Sequence, residues 1–514
     1  MKIVKNFVKI LFPFQYDKRT KVDLESAKIK SEDGNTEYDL FQTIGFEDSE
    51  LRKGLSDLFT SKKEHPSRIM SGYRVDANIR HLLGLPKRKT DSIEFTCRSK
   101  KTYNVKISDI SIYLFESGVG FVEVEFEHGS DQMDEFISCN YFLSEIGDAK
   151  NCLTVNQKVW HPEKKAAEMV TKCFTMKTLL QKLLEHIPCV TDFYSGEKWE
   201  KIHKKGLIYS YVLIDEKPEN LDDLLFNMRQ NFKESYKAPK KYSNLQDDPA
   251  VLQQFENSYW VSSYNGATNI SIQTEDAVTN NFFETNFYSR LHNIYFVLFL
   301  AALNQKYTIL KLMWEMGELD RLGLDYTVMK EQLVKARAYQ AETANLKFRD
   351  FFKYPSYVQH INDFYDLLYR TSCIEDLYQD LTQDLNNIEE ICKVYVERIK
   401  QYEALRGKIR KAAIKAITSF LGAAIGVITL LNESWSLLEA AYGIPSGSFS
   451  IPVLLVTAVL ALPSVVGVME AIGNVRELRK ERKETEVERP EVLKKKSGET
   501  VELNSQVAVS ERCV

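Results

Sequence analysis

The chain has 514 residues, of which 27% are charged, and a formal net charge of −4. This length allows about two or three domains, and the slightly acidic balance argues against a protein that holds nucleic acid through a general basic field. Its 8 cysteines are scattered, without a CxxC spacing or a Cys/His cluster, which argues against a structural zinc site and suits a reducing cytosol.

The first part of the chain, residues 1–285, predicts an α+β domain. The clearest pattern is at 105–127, where two strand-like runs flank Ser117-Gly118-Val119-Gly120. In the second run Val and Phe alternate with Glu, which predicts a hairpin with one packed face and one solvated face. Further strands are expected at 9–16, 40–46, 207–214 and on both sides of Asn265-Gly266, and helices at 74–85, 162–186 and 220–233.

Helical patterns dominate from residue 286 onwards. The run 294–303 (IYFVLFLAAL) is wholly apolar but only about half as long as a membrane span, so a buried helix is expected there. A second helix is expected at 330–352. No proline occurs between Pro355 and Pro445, and apolar residues recur every three or four positions from Ile374 to Ile409. This pattern predicts one long helix with an apolar stripe.

Two uncharged runs, 416–431 and 450–469, are each close to the roughly 20 residues that cross a bilayer as a helix. Basic residues precede and follow the pair, whereas the link contains Glu433 and Glu439 but no Lys or Arg. The positive-inside rule therefore predicts a transmembrane hairpin in the cytoplasmic (inner) membrane, with both termini in the cytoplasm.

The predicted organisation has four parts. Residues 1–285 form a cytoplasmic α/β sensor domain, 286–411 a long helical stalk, 412–473 two transmembrane helices, and 474–514 a charged, disordered cytoplasmic tail. The fold class is thus an α+β cytoplasmic domain followed by long α-helices and a two-helix transmembrane hairpin.

Small and polar residues of the first predicted span fall on one helical face. If this face lines a pore between several copies, an acidic ring of Glu433 at the outer mouth would attract cations. The alternative is helix packing without a pore, because Gly422 and Gly426 form a GxxxG pair. The candidate pore-lining residues are Ser419, Gly422, Gly426, Thr429, Asn432 and Glu433.

The soluble region has no P-loop, Rossmann glycine pattern or HExxH motif, so an enzyme is not expected. Two features are candidates for binding an anionic ligand: a basic group, with Arg68, Arg74 and Arg88, and the segment 260–265, with Trp260 as a stacking ring and Asn265 as a polar neighbour. The alternative interpretations are a solvated charge run and an ordinary hairpin core.

This arrangement of a cytoplasmic domain, long helices, two spans and a basic tail resembles the CorA family of divalent-cation channels. The resemblance implies a homopentamer whose first span lines the pore. Tyr442 and Gly443 match the start of the aromatic-Gly-Met-Asn signature of that family, whereas Ile444 and Pro445 replace its Met and Asn. The longer N-terminal domain is most similar to the CorA-like effectors of type III CRISPR systems. That subgroup implies an antiviral membrane protein switched on by a nucleotide second messenger, an adenylated S-adenosylmethionine.

Three functions follow as hypotheses. The first is a ligand-gated membrane effector that binds this messenger and associates with itself and with the bilayer, without direct binding of nucleic acid. The second is a divalent-cation transporter regulated by cations on the long helix. The third is a membrane-anchored binding module that does not conduct. Acidic residues available to cations on the long helix are Glu375, Asp376, Asp380, Asp384, Glu389 and Glu390, which otherwise form its solvated face.

Overall fold

The structure is a computed structural model. It describes residues 1–17, 24–31, 35–46, 50–59, 69–161, 166–187, 190–192, 205–239, 248–317, 326–346 and 354–442, together with isolated positions between 469 and 480. Apart from those positions, the second predicted span (450–469) and the predicted tail lie outside this part.

The described residues form a mixed α and β region followed by long helices. The strands are β1 Ile3–Gln15, β2 Lys28–Lys30, β3 Glu37–Asp39, β4 Phe41–Ile44, β5 Met70–Val75, β6 Ile93–Thr96, β7 Thr102–Phe115, β8 Val119–His128, β9 Cys152–His161, β10 Ala166–Phe174, β11 Thr191–Asp192, β12 Leu207–Ile214, β13 Val251–Phe255, β14 Ser258–Ser263 and β15 Gly266–Ile272. The helices are α1 Lys53–Leu58, α2 Met133–Ser144, α3 Met176–Leu184, α4 Leu221–Gln230, α5 Ala277–Asn281, α6 Tyr288–His292, α7 Ile294–Gly317, α8 Tyr326–Asn345, α9 Gln359–Thr371 and α10 Ile374–Tyr442.

One large sheet carries most of the strands, in the order β10-β9-β6-β7-β8-β1-β12-β15-β14-β13. The predicted hairpin is confirmed as β7 and β8, and its turn contains Gly118 at φ 81°, a conformation that glycine adopts without a steric penalty. The predicted hairpin around Asn265-Gly266 is confirmed as β14 and β15. Because β12 is paired antiparallel with β1 and parallel with β15, the β7–β8 and β14–β15 turns lie at the same end of the sheet.

Helices cover both faces of the central strands. Successive side chains of a strand point to opposite faces, and on β1 Val8, Ile10 and Phe12 pack in a core that contains α2 and α3 residues. On the other face, Lys9 lies 4.4 Å from the ring of Phe296 in α7. Both faces of β1 are consequently buried.

The prediction that one face of β8 is solvated is therefore wrong. Glu123 is only 1% exposed and Glu125 8%, because the face that carries them packs toward α6 and α7 and supplies Lys9 as a counter-ion. Alternation of apolar and acidic residues was a correct indication of a strand, but it did not show that helices cover the second face.

The prediction of a helix at 162–186 is also wrong over its first half. β10 pairs antiparallel with β9, and the helix α3 begins only at Met176, after a capping box at Thr175 and Thr178. Cys152 and Cys173 form a disulfide across these strands, which the scattered cysteine pattern did not predict. At 74–85, Arg74 lies in β5 and a 3-10 helix, Ala77–Leu83, replaces the expected α-helix.

Contacts divide the chain into two compact units. The first contains Met1–Trp314 and Thr343–Thr382, and the second contains Glu315–Glu342 and the part of α10 from Gln383. The predicted domain boundaries at 285, 411 and 473 remain predictions. Among the described residues, the helical stretch Ala277–Gly317 is apolar and long enough to cross a membrane, but 89% of its apolar window is buried. The segment 294–303 is thus a buried helix, as predicted.

Candidate functional site

The helix α10 combines a buried beginning with an exposed apolar segment. It runs from Ile374 to Tyr442 without a break, and Ile374, Leu377 and Leu381 are at most 1% exposed. Farther along, its large apolar side chains are between 53% and 65% exposed, at Ile414, Ile417, Phe420, Leu421, Ile425 and Ile428. These positions recur at steps of one to four and follow one broad face of the helix.

The stripe of predicted pore-lining residues is also uncovered in this single chain. Among the described residues, and apart from the neighbouring backbone of the helix itself, a Cβ placed on Gly422 or Gly426 meets no heavy atom within 4 Å. The hydroxyl of Thr429 donates to the carbonyl of Ile425 at 2.9 Å. Ser419 is partly exposed, and Asn432 and Glu433 are exposed. The described side chains on both faces of this part of the helix are thus at least partly exposed, and a pore-lining role stays a prediction.

The basic group is spread over an edge of the sheet. Arg74 Nε lies 2.9 Å from Asp109 Oδ2, and Lys89 Nζ lies 3.4 Å from the other oxygen of the same carboxylate. Arg80 is buried and donates to the carbonyls of Ser108 and Ile107, and burial lowers the pKa of its guanidinium although Asp109 opposes this. Arg88 is exposed in a turn. Arg68 lies outside the described residues.

Trp260 lies in the core beneath the β14–β15 turn. It is 0% exposed, its indole N–H donates to Gln254 Oε1 at 2.6 Å, and its ring centroid is 4.1 Å from that of Phe364 in α9. Asn265 is exposed at the tip of the turn. A ligand that stacks on Trp260 would have to displace these contacts, so in this structure the ring serves as hairpin core.

The structure does not bring the two candidate features together. Arg74 is on β5, which pairs with β7, and four strands lie between β7 and β14. Neighbouring strands are about 4.8 Å apart, so the six steps from β5 to β14 separate the two features by roughly 29 Å across the sheet. Within one chain they are two separate sites.

Sequence reasoning missed a polar segment near the end of the buried helix α7. Asn304, Gln305, Lys306, Thr308 and Lys311 are all less than 9% exposed. At the β7–β8 turn, Ser117 Oγ donates to Asn304 Oδ1 at 3.0 Å, and Lys311 donates to the carbonyl of Ser117. At the β14–β15 turn, Lys306 donates to the carbonyl of Tyr264. Toward α9, Gln305 Nε2 donates to the hydroxyl of Tyr365 at 2.7 Å. The polar cluster NQK directly after an apolar run was the only indication in the sequence.

A second polar group missed from the sequence is a buried ionic cluster around Lys9. Its ammonium contacts Glu123 and lies 2.8 Å from Glu125 Oε2. The hydroxyl of Tyr113 donates to Glu123 at 2.6 Å, and His292 Nε2 lies 3.2 Å from Glu125. Burial opposes ionisation of Glu125, but Lys9 and His292 outweigh it, so its pKa lies below the usual range. The cluster connects strands β1, β7 and β8 with α6.

No group of three or more His, Cys, Asp or Glu residues suited to a metal ion occurs in the described ranges. No protein-family model matches the chain, and no curated protein matches it. Among solved structures, the chain is similar to the CorA magnesium transporter from Methanocaldococcus jannaschii at 15% identity, over 53% of this chain and 90% of that chain. The TM-score of 0.17 is too low for this similarity to carry a structural argument.

Proposed function

We propose that the chain is a ligand-gated membrane effector of the CorA-like type. In this proposal the α+β region binds a nucleotide-like messenger, and binding favours an arrangement of α10 that opens a path through the membrane between several copies. The resemblance in the sequence supplies the finer detail: a homopentamer that acts in type III CRISPR antiviral defence when it binds an adenylated S-adenosylmethionine.

The observation that carries the proposal is the exposed apolar segment of α10. Fully burying a large apolar side chain contributes about 1.5–3 kcal/mol. The six exposed side chains from Ile414 to Ile428 therefore leave on the order of 10 kcal/mol unrealised in water. A soluble monomer rarely exposes such a continuous apolar surface, whereas lipid or neighbouring copies would cover it.

The same helix supports a gating mechanism. Ile374 and Leu377 pack in the first compact unit, and no helix break separates them from the exposed apolar segment. A ligand that binds the α+β region with different affinities in two arrangements of α10 would shift the equilibrium between them. The size of the shift is limited by that difference in affinity.

Release from liposomes tests the proposal. The purified full-length chain is reconstituted into liposomes loaded with a fluorescent dye and with potassium ions, and adenylated S-adenosylmethionine is added. The proposal predicts that release begins on addition of the ligand and does not occur with S-adenosylmethionine alone. Ligand binding without release would contradict gating, and release that is independent of ligand would contradict the sensor role.

A non-conducting, membrane-anchored module is the second candidate. The open space beside Gly422 and Gly426 favours it, because small residues four apart allow close helix packing in lipid without a pore. Under this alternative, Gly426→Leu alters assembly and leaves membrane permeability unchanged. The divalent-cation transporter predicts uptake of magnesium by cells that lack their own transporter.

A further inference from the structure

The side chain of Lys306 is a fully buried amine with no acidic partner among the described residues. It is 0% exposed, and within the described part of the chain no carboxylate forms an ion pair with it. Its Nζ donates to the carbonyl of Tyr264 at 2.5 Å and lies 3.1 Å from the centroid of the Tyr264 ring. Lys9, another buried lysine described above, instead contacts two carboxylates.

Protonation of this amine is unfavourable in its present surroundings. An isolated ammonium loses its hydration on burial, and a single carbonyl and a ring face compensate for only part of that loss. Burial accordingly places the pKa of Lys306 well below its ordinary value. An anion that reaches the amine would restore the charged form and gain a strong, charge-assisted hydrogen bond.

The aromatic ring that covers Lys306 belongs to an exposed turn. Tyr264 covers the amine but is itself only half-buried, and the next residue, Asn265, is exposed at the tip of the β14–β15 turn. The ring of Tyr264, 3.1 Å from Nζ at its centroid, must therefore move before an anion can reach the amine from this turn. Lys311, on the same helix, donates to the carbonyl of Ser117 in the β7–β8 turn, so a second buried cation lies at this end of the sheet.

We propose that Lys306 is the anchor for a phosphate group of an anionic ligand that enters at the β14–β15 turn. This inference rests on the proposed function and deepens it, because it places the phosphate of the nucleotide-like messenger. The amine leaves the carbonyl of Tyr264, takes up a proton from the solvent, and pairs as an ammonium with the phosphate. The displaced Tyr264 ring then offers a face on which a base stacks, an interaction that tolerates different bases.

This site also has a direct structural connection to the start of α10. Gln305, the neighbour of Lys306, bonds to Tyr365 of α9 at 2.7 Å. Ser262, at the end of β14, lies 2.6 Å from the hydroxyl of Thr371, the last residue of α9. Because α10 begins at Ile374, a rearrangement of this turn acts on the residues that lead directly into the long helix.

Calorimetric titration of the full-length protein in detergent, with inorganic pyrophosphate and with ATP as separate probes, tests the inference. Two phosphate probes distinguish a site for free phosphate from one that also recognises a nucleoside. The variants are Lys306→Met, which removes the amine, and Lys306→Gln, which keeps a donor for the carbonyl of Tyr264 without the charge. Arg88→Ala, at the exposed basic edge, is the control.

Both Lys306 variants are expected to lose affinity by at least about tenfold, whereas the Arg88 control retains it. Since Lys306→Gln removes an amine whose burial without a counter-ion is unfavourable and keeps a donor for the carbonyl of Tyr264, the thermal midpoint of this variant should equal or exceed that of the wild type. At a pH between the lowered pKa of the free amine and its pKa in the complex, binding to the wild type should take up protons, because the phosphate raises the pKa of the amine. This uptake appears as a dependence of the observed heat on the ionisation enthalpy of the buffer and should be absent in both variants.

Three results would overturn the inference. The first is binding to both Lys306 variants that is as tight as binding to the wild type. The second is loss of binding in the Arg88 control alone, which would place the ligand at the basic edge and leave the proposed function intact. A wild type that binds neither probe would also overturn it. In that case ligand-triggered release from liposomes would still support the proposed function, so the two failures are distinguishable.

Discussion

Replacement of Lys9 by methionine would expose the energetic role of the buried ionic cluster. The ammonium of Lys9 contacts Glu123 and lies 2.8 Å from Glu125, and both glutamates are at least nine-tenths buried. Methionine keeps most of the volume of the side chain but removes the counter-ion. Because the two carboxylates then remain in the core without a cation bound to both, we expect a loss of about 3–5 kcal/mol of unfolding free energy at neutral pH.

The loss should depend on pH in a defined direction. In the wild type the pKa of Glu125 is lowered, since Lys9 and His292 outweigh the effect of burial. Its contribution to stability is therefore present above the pKa of an unfolded glutamate, about 4.3, and is lost as the pH falls below it. In Lys9→Met, burial dominates and raises the pKa of Glu125, so the variant becomes less stable as the pH rises. The difference between the two proteins should widen from about pH 4 to pH 7.

Hydrogen exchange measured by mass spectrometry on peptides from β1, β8 and β12 provides the assay, because it reports the stability of this unit within the full-length protein. Lys5→Met is the matched control on the same strand: Lys5 donates to the carbonyl of Glu284 at 2.6 Å and has no ion pair in the described part of the chain. We expect the control to lose less than about 1 kcal/mol. An equal loss in both variants, or a loss for Lys9→Met that is the same at all pH values, would refute the reasoning.

Three further predictions concern the predicted pore stripe, a buried histidine and the hairpin core. Gly426→Leu should abolish ligand-triggered release from liposomes while ligand binding persists. The control Ile428→Leu, on the opposite face of the helix, should leave release unchanged. Normal release from liposomes that carry Gly426→Leu would contradict a pore-lining role. Burial lowers the pKa of His128 to about 4 although its bond to Asn140 opposes this, so the wild type should lose on the order of 3 kcal/mol between about pH 6.5 and 4. His128→Gln should show a shallower decline in hydrogen-exchange protection, and an unchanged slope would contradict this assignment. Trp260→Ala should cost about 3–5 kcal/mol in the protection of β14, and a cost below about 1 kcal/mol would contradict its place in the core.

The elements that the sequence predicted correctly are those determined by local physics. Gly118 has the positive φ that glycine adopts freely, a Cβ on Gly266 would meet the backbone of Ile208, and both hairpins are present. The absence of proline and the regular apolar spacing predicted a long helix, and α10 extends unbroken to Tyr442. Uniform hydrophobicity over a length too short for a membrane span likewise predicted a buried helix at 294–303.

The errors arose where tertiary contacts decide the outcome. Residues 166–174 contain good helix formers, yet they form β10 because β9 supplies a partner strand. Glu123 and Glu125 are buried because Lys9 neutralises them; it lies 114 and 116 residues away in the sequence, but on the neighbouring strand of the sheet. Lys306 was missed because a single lysine after an apolar run does not show whether an acid lies opposite. None of these contacts is visible in local sequence.

The central claim, that the exposed apolar segment of α10 lies in the lipid bilayer, is tested most directly by its depth in a membrane. A nitroxide amino acid is incorporated singly at positions 417, 421, 425 and 428 of the full-length chain in liposomes, with position 400 as a reference outside the apolar run. The account predicts high collision rates with oxygen and low rates with a water-soluble nickel chelate at the first four positions, and the reverse at position 400. Nickel collision rates at all four positions as high as those at position 400 would contradict it.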